Sequence, residues 1–316
     1  MTAVPAAGVH GGDGVRVAEA LGLDPSAVLD LSASFNPVAP DPGEVVAGHV
    51  DAIGRYPAAG PATEALAAAM DVDPGRLLLT NGGAEAIALV ATELGPGWAD
   101  PCEFGLYRRH IPRLDPGGPL FRSNPHNPTG RLAPQADHAE VWDEAFYPLA
   151  TGRWTRGDQA LVVGSLTKLF ACPGLRVGYV LAPETGGGAA LIEKLALSQP
   201  RWSVNGLATA ALPELLETAD LATWAAAVAE LRQALVQLLR AHGLDPQPSD
   251  ANYVLCAGAP GLRERLAPHG VLVRDCTSFG LPSCVRVAVP DVEGLTRLEE
   301  ALAALRGWEG AACAAG

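Results

Sequence analysis

Short apolar runs that alternate with turn and helix segments constrain the fold of this chain more than any other feature. Residues 76–95, RLLLTNGGAEAIALVATELG, predict a strand, a tight Asn-Gly-Gly turn and an amphipathic helix that ends at Gly95. Strands separated by crossover segments form a largely parallel sheet with helices on its faces, so we expect an α/β protein. The other strands of this sheet are predicted at residues 119–124, 140–146, 160–166 and 176–182.

A second, smaller unit is predicted after this sheet. From about residue 184 the chain becomes strongly helical, and residues 220–243 predict one long amphipathic helix that leads out of the first unit and ends at Gly243. The last third of the chain predicts an α+β layer, with strands at 252–258, 271–276 and 284–290 and helices at 261–270 and 292–307.

These patterns predict three parts of the chain. Residues 1–40 form an N-terminal arm that also contributes to the small domain, residues 41–205 form the large domain, and residues 206–316 form the small α+β domain. The small, polar tail at 308–316 is expected to be frayed.

Composition argues against nucleic acid and membrane partners. The 316 residues include 22 basic and 35 acidic side chains, a net charge of −13, which leaves no basic field for a phosphate backbone. Residues 1–14 show no basic and apolar leader, and no later run approaches the roughly 18 apolar residues of a membrane span, so we predict a cytoplasmic protein. The six cysteines show no zinc spacing, which favours reduced thiols and no metal: Cys102, Cys172, Cys256, Cys276, Cys284 and Cys313.

Polar residues collect where the predicted strands end. Asn127 lies in the stiff loop SNPHNPTG, Asp143 follows a strand in WDEAF, and Lys168 follows the next strand in SLTK. Lys168 is one of two lysines in the chain, and Arg176 comes eight residues later. Because ligands bind beyond the carboxyl ends of the strands in open α/β sheets, we expect these side chains to converge on one crevice.

The expected crevice suits pyridoxal phosphate. The amides of Gly82, Gly83 and Ala84 begin a helix and form an anion site, although an ordinary turn between strand and helix also favours glycines. Pyridoxal phosphate requires a lysine amine, a carboxylate for its pyridine nitrogen, and amides, hydroxyls and arginine for its phosphate. The sequence therefore predicts this cofactor.

The order of these motifs resembles the fold-type I aminotransferase superfamily. The matching segments are NPHNPTG, DEAF and SLTKLFACPGLRVGY, with RYPAAG at 55–60 and VRVAVP at 285–290 in the same order. Within that superfamily, HGGD at 10–13, LDLSASFNP at 29–37 and QPRWSVNGLA at 199–208 resemble the threonine-phosphate decarboxylases of cobalamin biosynthesis. Histidinol-phosphate aminotransferases are close relatives that lack most of these three segments.

The resemblance implies a role for each matching residue. Lys168 would form the Schiff base and move protons, and Asp143 would pair with the pyridine nitrogen. Asn127 would donate to the phenolic oxygen, and Phe104 would stack on the ring. Tyr56 would reach the cofactor phosphate of a neighbouring subunit, which implies a homodimer. The cofactor phosphate would be held by Gly82, Gly83, Ala84, Ser165, Thr167 and Arg176.

The resemblance also implies a phosphorylated amino acid substrate. Arg286 would hold its α-carboxylate through two parallel hydrogen bonds, and Arg274 would meet its phosphate. The alternative for both is a solvated arginine at a strand end, and without the resemblance that alternative is favoured for Arg274. His10 and Asn36 would line the mouth of the site, with a surface or turn role as the alternative. The implied reaction is the decarboxylation of L-threonine O-3-phosphate to (R)-1-aminopropan-2-ol O-phosphate.

Two segments are shorter than in the superfamily, between Tyr107 and Ser123 and between Gly130 and Asp143. We expect a stub of helix at 131–140. The strand before Asp143 is weak because Glu140 interrupts it, so either the strand begins after Glu140 or the sheet is rearranged. A phosphate-substrate aminotransferase and a catalytically lapsed cofactor-binding homologue therefore stay open as alternatives.

Overall fold

A computed structural model describes residues 3–157 and 159–305 of the chain. The strands of the described part are β1 Leu29–Leu31, β2 Leu77–Asn81, β3 Phe121–Ser123, β4 Val141–Asp143, β5 Leu161–Ser165, β6 Val177–Leu181, β7 Asp245–Pro246, β8 Tyr253–Ala257, β9 Val271–Asp275 and β10 Val285–Ala288. Its α-helices are α1 Gly14–Leu21, α2 Gly43–Gly48, α3 Ala59–Met70, α4 Gly82–Leu94, α5 Leu106–His110, α6 Tyr147–Thr151, α7 Leu166–Leu169, α8 Gly188–Ser198, α9 Gly206–Glu217, α10 Leu221–Ala241, α11 Leu262–Leu266 and α12 Val292–Ala304.

The first sheet has the strand order β2-β6-β5-β4-β3. Strands β3, β4 and β5 pair in parallel, whereas β6 runs antiparallel to both β5 and β2. Four of the five strands therefore share one direction, and the predicted α/β fold with a mostly parallel central sheet is confirmed. Because these four strands point the same way, their carboxyl ends meet at one edge of the sheet.

Both faces of the first sheet are apolar and covered by helices. Leu79, Val162 and Tyr179 pack on one face in a core that includes residues of α3 and α9. Val163 and Val180 pack on the opposite face against α4 and α8. This alternation of buried residues along each strand is what a sheet covered on both faces requires, and it explains the continuous apolar runs in the sequence.

The crossover from β3 to β4 contains no helix within the fully described residues 131–140, so the expected stub of helix is wrong. A guanidinium nitrogen of Arg156, Nη2, donates instead to the carbonyls of Pro134, Gln135 and Asp137, at 3.1, 2.7 and 2.9 Å. The segment is too short to form a helix and also reach the next strand, so side-chain hydrogen bonds fix it.

Strand β4 is shorter than predicted but regular. It begins at Val141, directly after Glu140, whose carboxylate accepts a hydrogen bond from the Leu120 amide at 2.8 Å. In β4, Asp143 pairs with Ser123 of β3 and Val163 of β5. The sheet is therefore not rearranged at Asp143.

The second sheet has the strand order β1-β9-β10-β8-β7. Its edge strand β1 comes from the N-terminal part of the chain and pairs in parallel with β9. Helix α10 joins the two cores, since Trp224 packs in the first and Leu235 in the second. Leu212 of α9 belongs to the first core, and the division of the chain at residue 205 stays a prediction.

Several expectations concern features beyond the sheets. Across residues 3–157 and 159–305, no helix is both long and apolar enough to cross a membrane, and no cluster of His, Cys, Asp or Glu could hold a metal ion. The cysteines of that part are all free. The predicted frayed tail at 308–316 and Cys313 lie outside the described residues.

Candidate active site

A cavity of about 400 Å³ lies between the carboxyl edge of the first sheet, strands β9 and β10, and the N-terminal arm. Residues from all three regions line it, which brings together positions that are far apart in sequence. The predicted site residues on its wall are His10, Gly83, Ala84, Phe104, Asn127, Asp143, Ser165, Thr167, Lys168, Arg176, Arg274 and Arg286.

Lys168 stands in the first turn after β5, in the short helix α7. The pKa of the Lys168 amine is lowered to about 8. Burial is the main cause and the Arg176 cation adds to it, while the Asp143 carboxylate opposes the shift. A fraction of the amine is therefore neutral near physiological pH, which is the form that attacks an aldehyde.

Asp143 ends β4 and faces the same cavity. Its carboxylate accepts hydrogen bonds from the Ala145 amide at 3.0 Å and from the Tyr107 hydroxyl at 2.8 Å. Burial raises the pKa of Asp143, while these two hydrogen bonds and Lys168 oppose the rise. The carboxylate is fixed in position and can hold a proton on a ring nitrogen.

Tyr107 was not predicted as a site residue from the sequence. It lies in the segment CEFGLY, where the resemblance pointed to Phe104, and its contact with Asp143 joins residues 36 positions apart. An aromatic residue at that position is also an ordinary core residue. Its role became visible once the fold placed α5 beside β4.

The cradle for a phosphate depends on two glycines. Gly82 has a φ of +72°, and a Cβ there would lie 2.5 Å from Nη2 of Arg176. A Cβ at Gly178 would lie 2.4 Å from the Gly82 carbonyl carbon and 2.5 Å from the Gly83 nitrogen. The strand β6 thus approaches the first turn of α4 closely, and the guanidinium of Arg176 lies beside Gly82 at the start of that turn.

A hydrogen bond to Asn127 holds the Arg286 side chain in position. Its Nη1 donates to Oδ1 of Asn127 at 2.6 Å, and its guanidinium lies over the ring of Tyr253 at 4.4 Å. Its Nε is buried and has no hydrogen-bond partner within the described residues. An unpaired buried donor on an arginine at a cavity wall fits an anionic ligand, because burying it unsatisfied is costly.

The N-terminal arm closes one side of the cavity. Arg274 donates from Nη1 to the Gly8 carbonyl at 2.8 Å and from Nη2 to the Ser278 hydroxyl at 2.9 Å, and it also donates to the Val9 carbonyl. The His10 ring lies 5.6 Å from the ring of Phe104. Burial lowers the pKa of His10, and the Arg274 cation lowers it further.

Three predicted residues are not among those that line this cavity: Gly82, directly before Gly83, and Asn36 and Tyr56. Asn36 is buried and donates from Nδ2 to the Leu169 carbonyl at 3.0 Å, so its side chain fixes the turn that carries Lys168. Tyr56 is 75% exposed and stacks on Trp202 with ring centres 4.4 Å apart. Their proposed contacts with substrate and with a neighbouring subunit stay predictions.

The donor set of the cavity fits pyridoxal phosphate. Four cationic groups surround one carboxylate in a protein whose net charge is −13. They are Lys168, Arg176, Arg274 and Arg286. A part-neutral amine, a fixed carboxylate and a glycine-lined helix N-terminus match the aldehyde, the pyridine nitrogen and the phosphate of that cofactor.

The chain is similar to known proteins over more than half of its length. The family model described as aminotransferase class I and II matches residues 107–305. A histidinol-phosphate aminotransferase of Natronomonas pharaonis is 27% identical, over 90% of this chain and 93% of that protein. A threonine-phosphate decarboxylase of Salmonella typhimurium is 31% identical, over 94% of this chain and 95% of that protein.

A solved structure shares the fold. The histidinol-phosphate aminotransferase of Sinorhizobium meliloti, in complex with pyridoxal-5'-phosphate, superposes with a TM-score of 0.77 at 18% identity. The match covers 91% of this chain and 94% of that one.

Proposed function

This chain belongs to the class I and II aminotransferase family and uses pyridoxal phosphate as its cofactor, and from that premise we propose that it decarboxylates L-threonine O-3-phosphate. The product would be (R)-1-aminopropan-2-ol O-phosphate, a precursor in cobalamin biosynthesis. The observation that carries the proposal is the pair of arginines on adjacent antiparallel strands, since Arg286 pairs with Arg274 in the register of β10 and β9. Two buried cations side by side suit a substrate that carries two anionic groups.

Each arginine has a partner that fits its proposed role. Arg286, held by Asn127, would grip the substrate carboxylate with Nε and Nη2. Nε has no partner among the described residues, and Nη2 would exchange its 3.5 Å hydrogen bond to the Ser32 carbonyl for the carboxylate. Arg274 and His10 would take the substrate phosphate, with Arg274 exchanging the arm carbonyls for phosphate oxygens. Binding at the distant phosphate would orient the bond to the carboxylate.

The remaining residues would handle the reacting centre. When bound, pyridoxal phosphate supplies an aldehyde that captures the substrate amine and a protonated ring that accepts an electron pair from the α-carbon. Asp143 would keep the proton on the ring nitrogen, and the Asn127 amide group would donate to the phenolic oxygen. Lys168 would hold the cofactor and deliver a proton to the α-carbon. Gly83, Ala84, Ser165, Thr167 and Arg176 would hold the cofactor phosphate.

A phosphate-substrate aminotransferase is the second candidate. Histidinol-phosphate aminotransferases outnumber the decarboxylase among the similar proteins, and they too act on a phosphorylated compound. The segment that favours the decarboxylase is HGGD, whose residues His10, Gly11 and Gly12 line the cavity. Gly11 packs closely against Ser32, and a Cβ added at Gly11 would lie 2.1 Å from the Ser32 carbonyl oxygen. Only glycine fits here, so this contact fixes the position of the N-terminal arm.

The test is a direct comparison of the two reactions. Purified protein with pyridoxal phosphate is given L-threonine O-3-phosphate, and CO2 release is measured beside amino transfer from histidinol phosphate to 2-oxoglutarate. Catalytic CO2 release without amino transfer is expected. Amino transfer alone would assign the chain to the aminotransferases, and neither reaction from a protein with bound cofactor would indicate a lapsed enzyme.

A homodimer is part of the proposal. Tyr56 lies outside its own cavity, and the exposed ring pair of Tyr56 and Trp202 offers an apolar surface to a second copy. Tyr56 would then reach the cofactor phosphate of that copy.

A further inference from the structure

Glu103 is a buried carboxyl group that none of the roles above uses. It is 4% exposed and lies directly before Phe104 in the segment that leads into α5. Both carboxyl oxygens lie 3.2 Å from the backbone nitrogen of Ser123, and Oε2 lies 2.5 Å from the Ser123 hydroxyl. Ser123 is the last residue of β3, so Glu103 anchors the strand end from which the Asn127 loop begins.

Ser123 connects Glu103 to the loop that carries Asn127. The backbone amide of Asn127 donates to Oγ of Ser123 at 2.8 Å, and the side-chain Oδ1 of Asn127 accepts from Arg286 at 2.6 Å. One serine hydroxyl thus fixes the backbone of Asn127, whose side chain in turn fixes Arg286. Movement of Ser123 would displace both groups.

The charged and titratable groups around Glu103 come from several elements. His126 Nε2 lies 3.8 Å from the Glu103 carboxyl group. The charges of Arg122 and Asp143 shift the pKa of Glu103, and the Glu103 charge in turn raises the pKa of Tyr107 and Tyr253. Cys102 is the chain neighbour of Glu103. Burial raises the pKa of Glu103 to about 8, Ser123 opposes the rise, Asp143 adds to it and Arg122 opposes it.

A protonated Glu103 can hold Ser123 through both of its carboxyl oxygens. Oε1 accepts from the Ser123 backbone amide at 3.2 Å, and the acid proton or the Ser123 hydroxyl proton bridges Oε2 and Oγ, which lie 2.5 Å apart. The Ser123 hydroxyl oxygen can still accept from the Asn127 backbone amide.

We propose that Glu103 is a positioning residue of the active site, acting through Ser123 on Asn127 and Arg286. The proposal rests on the proposed function for the roles of Asn127 and Arg286. Glutamine keeps a donor and an acceptor at this position and imitates the protonated form, whereas alanine removes both.

The first test uses the protein without cofactor and needs no substrate. Between pH 4.5, the ordinary pKa, and about pH 8, folded Glu103 holds a proton that the unfolded chain releases. Wild-type stability therefore falls as pH rises through this window, and Glu103→Gln lacks that loss. The difference in Tm, Glu103→Gln minus wild type, is expected to increase from pH 5 to pH 8.5. A flat difference would overturn the protonated state of Glu103 and with it the match between glutamine and wild type.

The second test measures cofactor affinity by fluorescence titration at pH 7. Glu103→Ala is expected to weaken pyridoxal phosphate binding at least tenfold, and Glu103→Gln to stay within twofold of wild type. In an Asn127→Ala background the effect of Glu103→Ala on cofactor affinity should shrink, because the link through the Asn127 side chain is already cut. With the substrate that gives turnover, Glu103→Ala is also expected to raise KM through Arg286.

Glu140→Gln is the matched control, since its carboxylate accepts a backbone hydrogen bond beside the same strand and has no link to the cavity. If Glu103→Ala binds cofactor as Glu140→Gln does, the positioning role is wrong. If Glu103→Ala does not fold, Glu103→Gln in the pH experiment still decides. Neither test depends on which phosphate substrate reacts, so failure of the decarboxylase assay would leave this proposal standing.

Discussion

At the scale of single residues, Lys168 is the proposed site of the covalent chemistry, and the chain offers its own control. Lys194, the second lysine, pairs with Glu93 at 2.9 Å and is 67% exposed. Lys168→Ala is expected to abolish covalent attachment of pyridoxal phosphate, because no other amine faces the cavity among the described residues. After borohydride reduction, mass spectrometry should find the pyridoxyl group on Lys168 in wild type and in Lys194→Ala. A cofactor found on Lys194 would remove Lys168 from this role.

The lowered pKa of Lys168 predicts a pH dependence. The neutral amine is the nucleophile, and its fraction rises with pH through the pKa of about 8. Attachment of cofactor to the protein prepared without it should therefore accelerate between about pH 7 and pH 9, with half of the increase near pH 8. Stopped-flow absorbance measures this rate. A rate that keeps rising to pH 10.5 would mean that burial does not lower the pKa.

The sequence pattern was enough to predict that Lys168, Asp143 and Arg176 lie around one cavity. Lys168, Asp143 and Arg176 stand at strand ends, where a periodic pattern can be read directly. Glu103, Tyr107 and Ser123 were missed because their meaning lies in contacts that the fold creates. A buried glutamate beside an aromatic residue carries no periodic signal, and the partners are 20 and 36 positions apart.

At the scale of elements, the close approach of β6 to α4 determines the phosphate cradle. Gly178→Ala would press a methyl group on the Gly82–Gly83 backbone, so the turn must move. We expect a loss of stability of about 1–3 kcal/mol and at least tenfold weaker cofactor binding. Gly174→Ala is the control, since no atom lies within 4 Å of its added Cβ. Equal cofactor affinity in the two variants would show that the cradle tolerates the shift.

The helix-free crossover predicts an unusual dependence on one arginine. Arg156 holds three carbonyls of the segment and stacks over Trp142 at 4.8 Å. Arg156→Ala should destabilise the protein by about 1–3 kcal/mol in urea unfolding, because the freed carbonyls lose their donor. Arg153→Ala, at an exposed position nearby, should have little effect. The sequence showed that this segment is short, but propensity alone could not show that a side chain replaces the helix.

At the scale of the whole molecule, the two sheets are interleaved in sequence. Apolar periodicity predicted the five strands of the first sheet and β8, β9 and β10 of the second, but not the short strands β1 and β7. It also could not predict that β1 pairs with β9, because register between distant strands depends on the complete core. This pairing brings the N-terminal arm over the cavity. The site is therefore assembled from both ends of the chain, and helix α10 joins the cores on either side of it.

The exposed apolar surface around Tyr56 predicts a homodimer. Ile53, Tyr56 and Trp202 are 73%, 75% and 55% exposed, and exposed apolar groups of this size typically mark an interface. Sedimentation should give twice the chain mass of 32.5 kDa. Ile53→Asp should give monomers with weaker cofactor binding, since Tyr56 of one copy could no longer reach the other. Val292→Asp places the same charge on an equally exposed residue of α12 and should leave the dimer intact. A wild-type monomer with full cofactor affinity would instead assign the Tyr56 and Trp202 stack to the single chain.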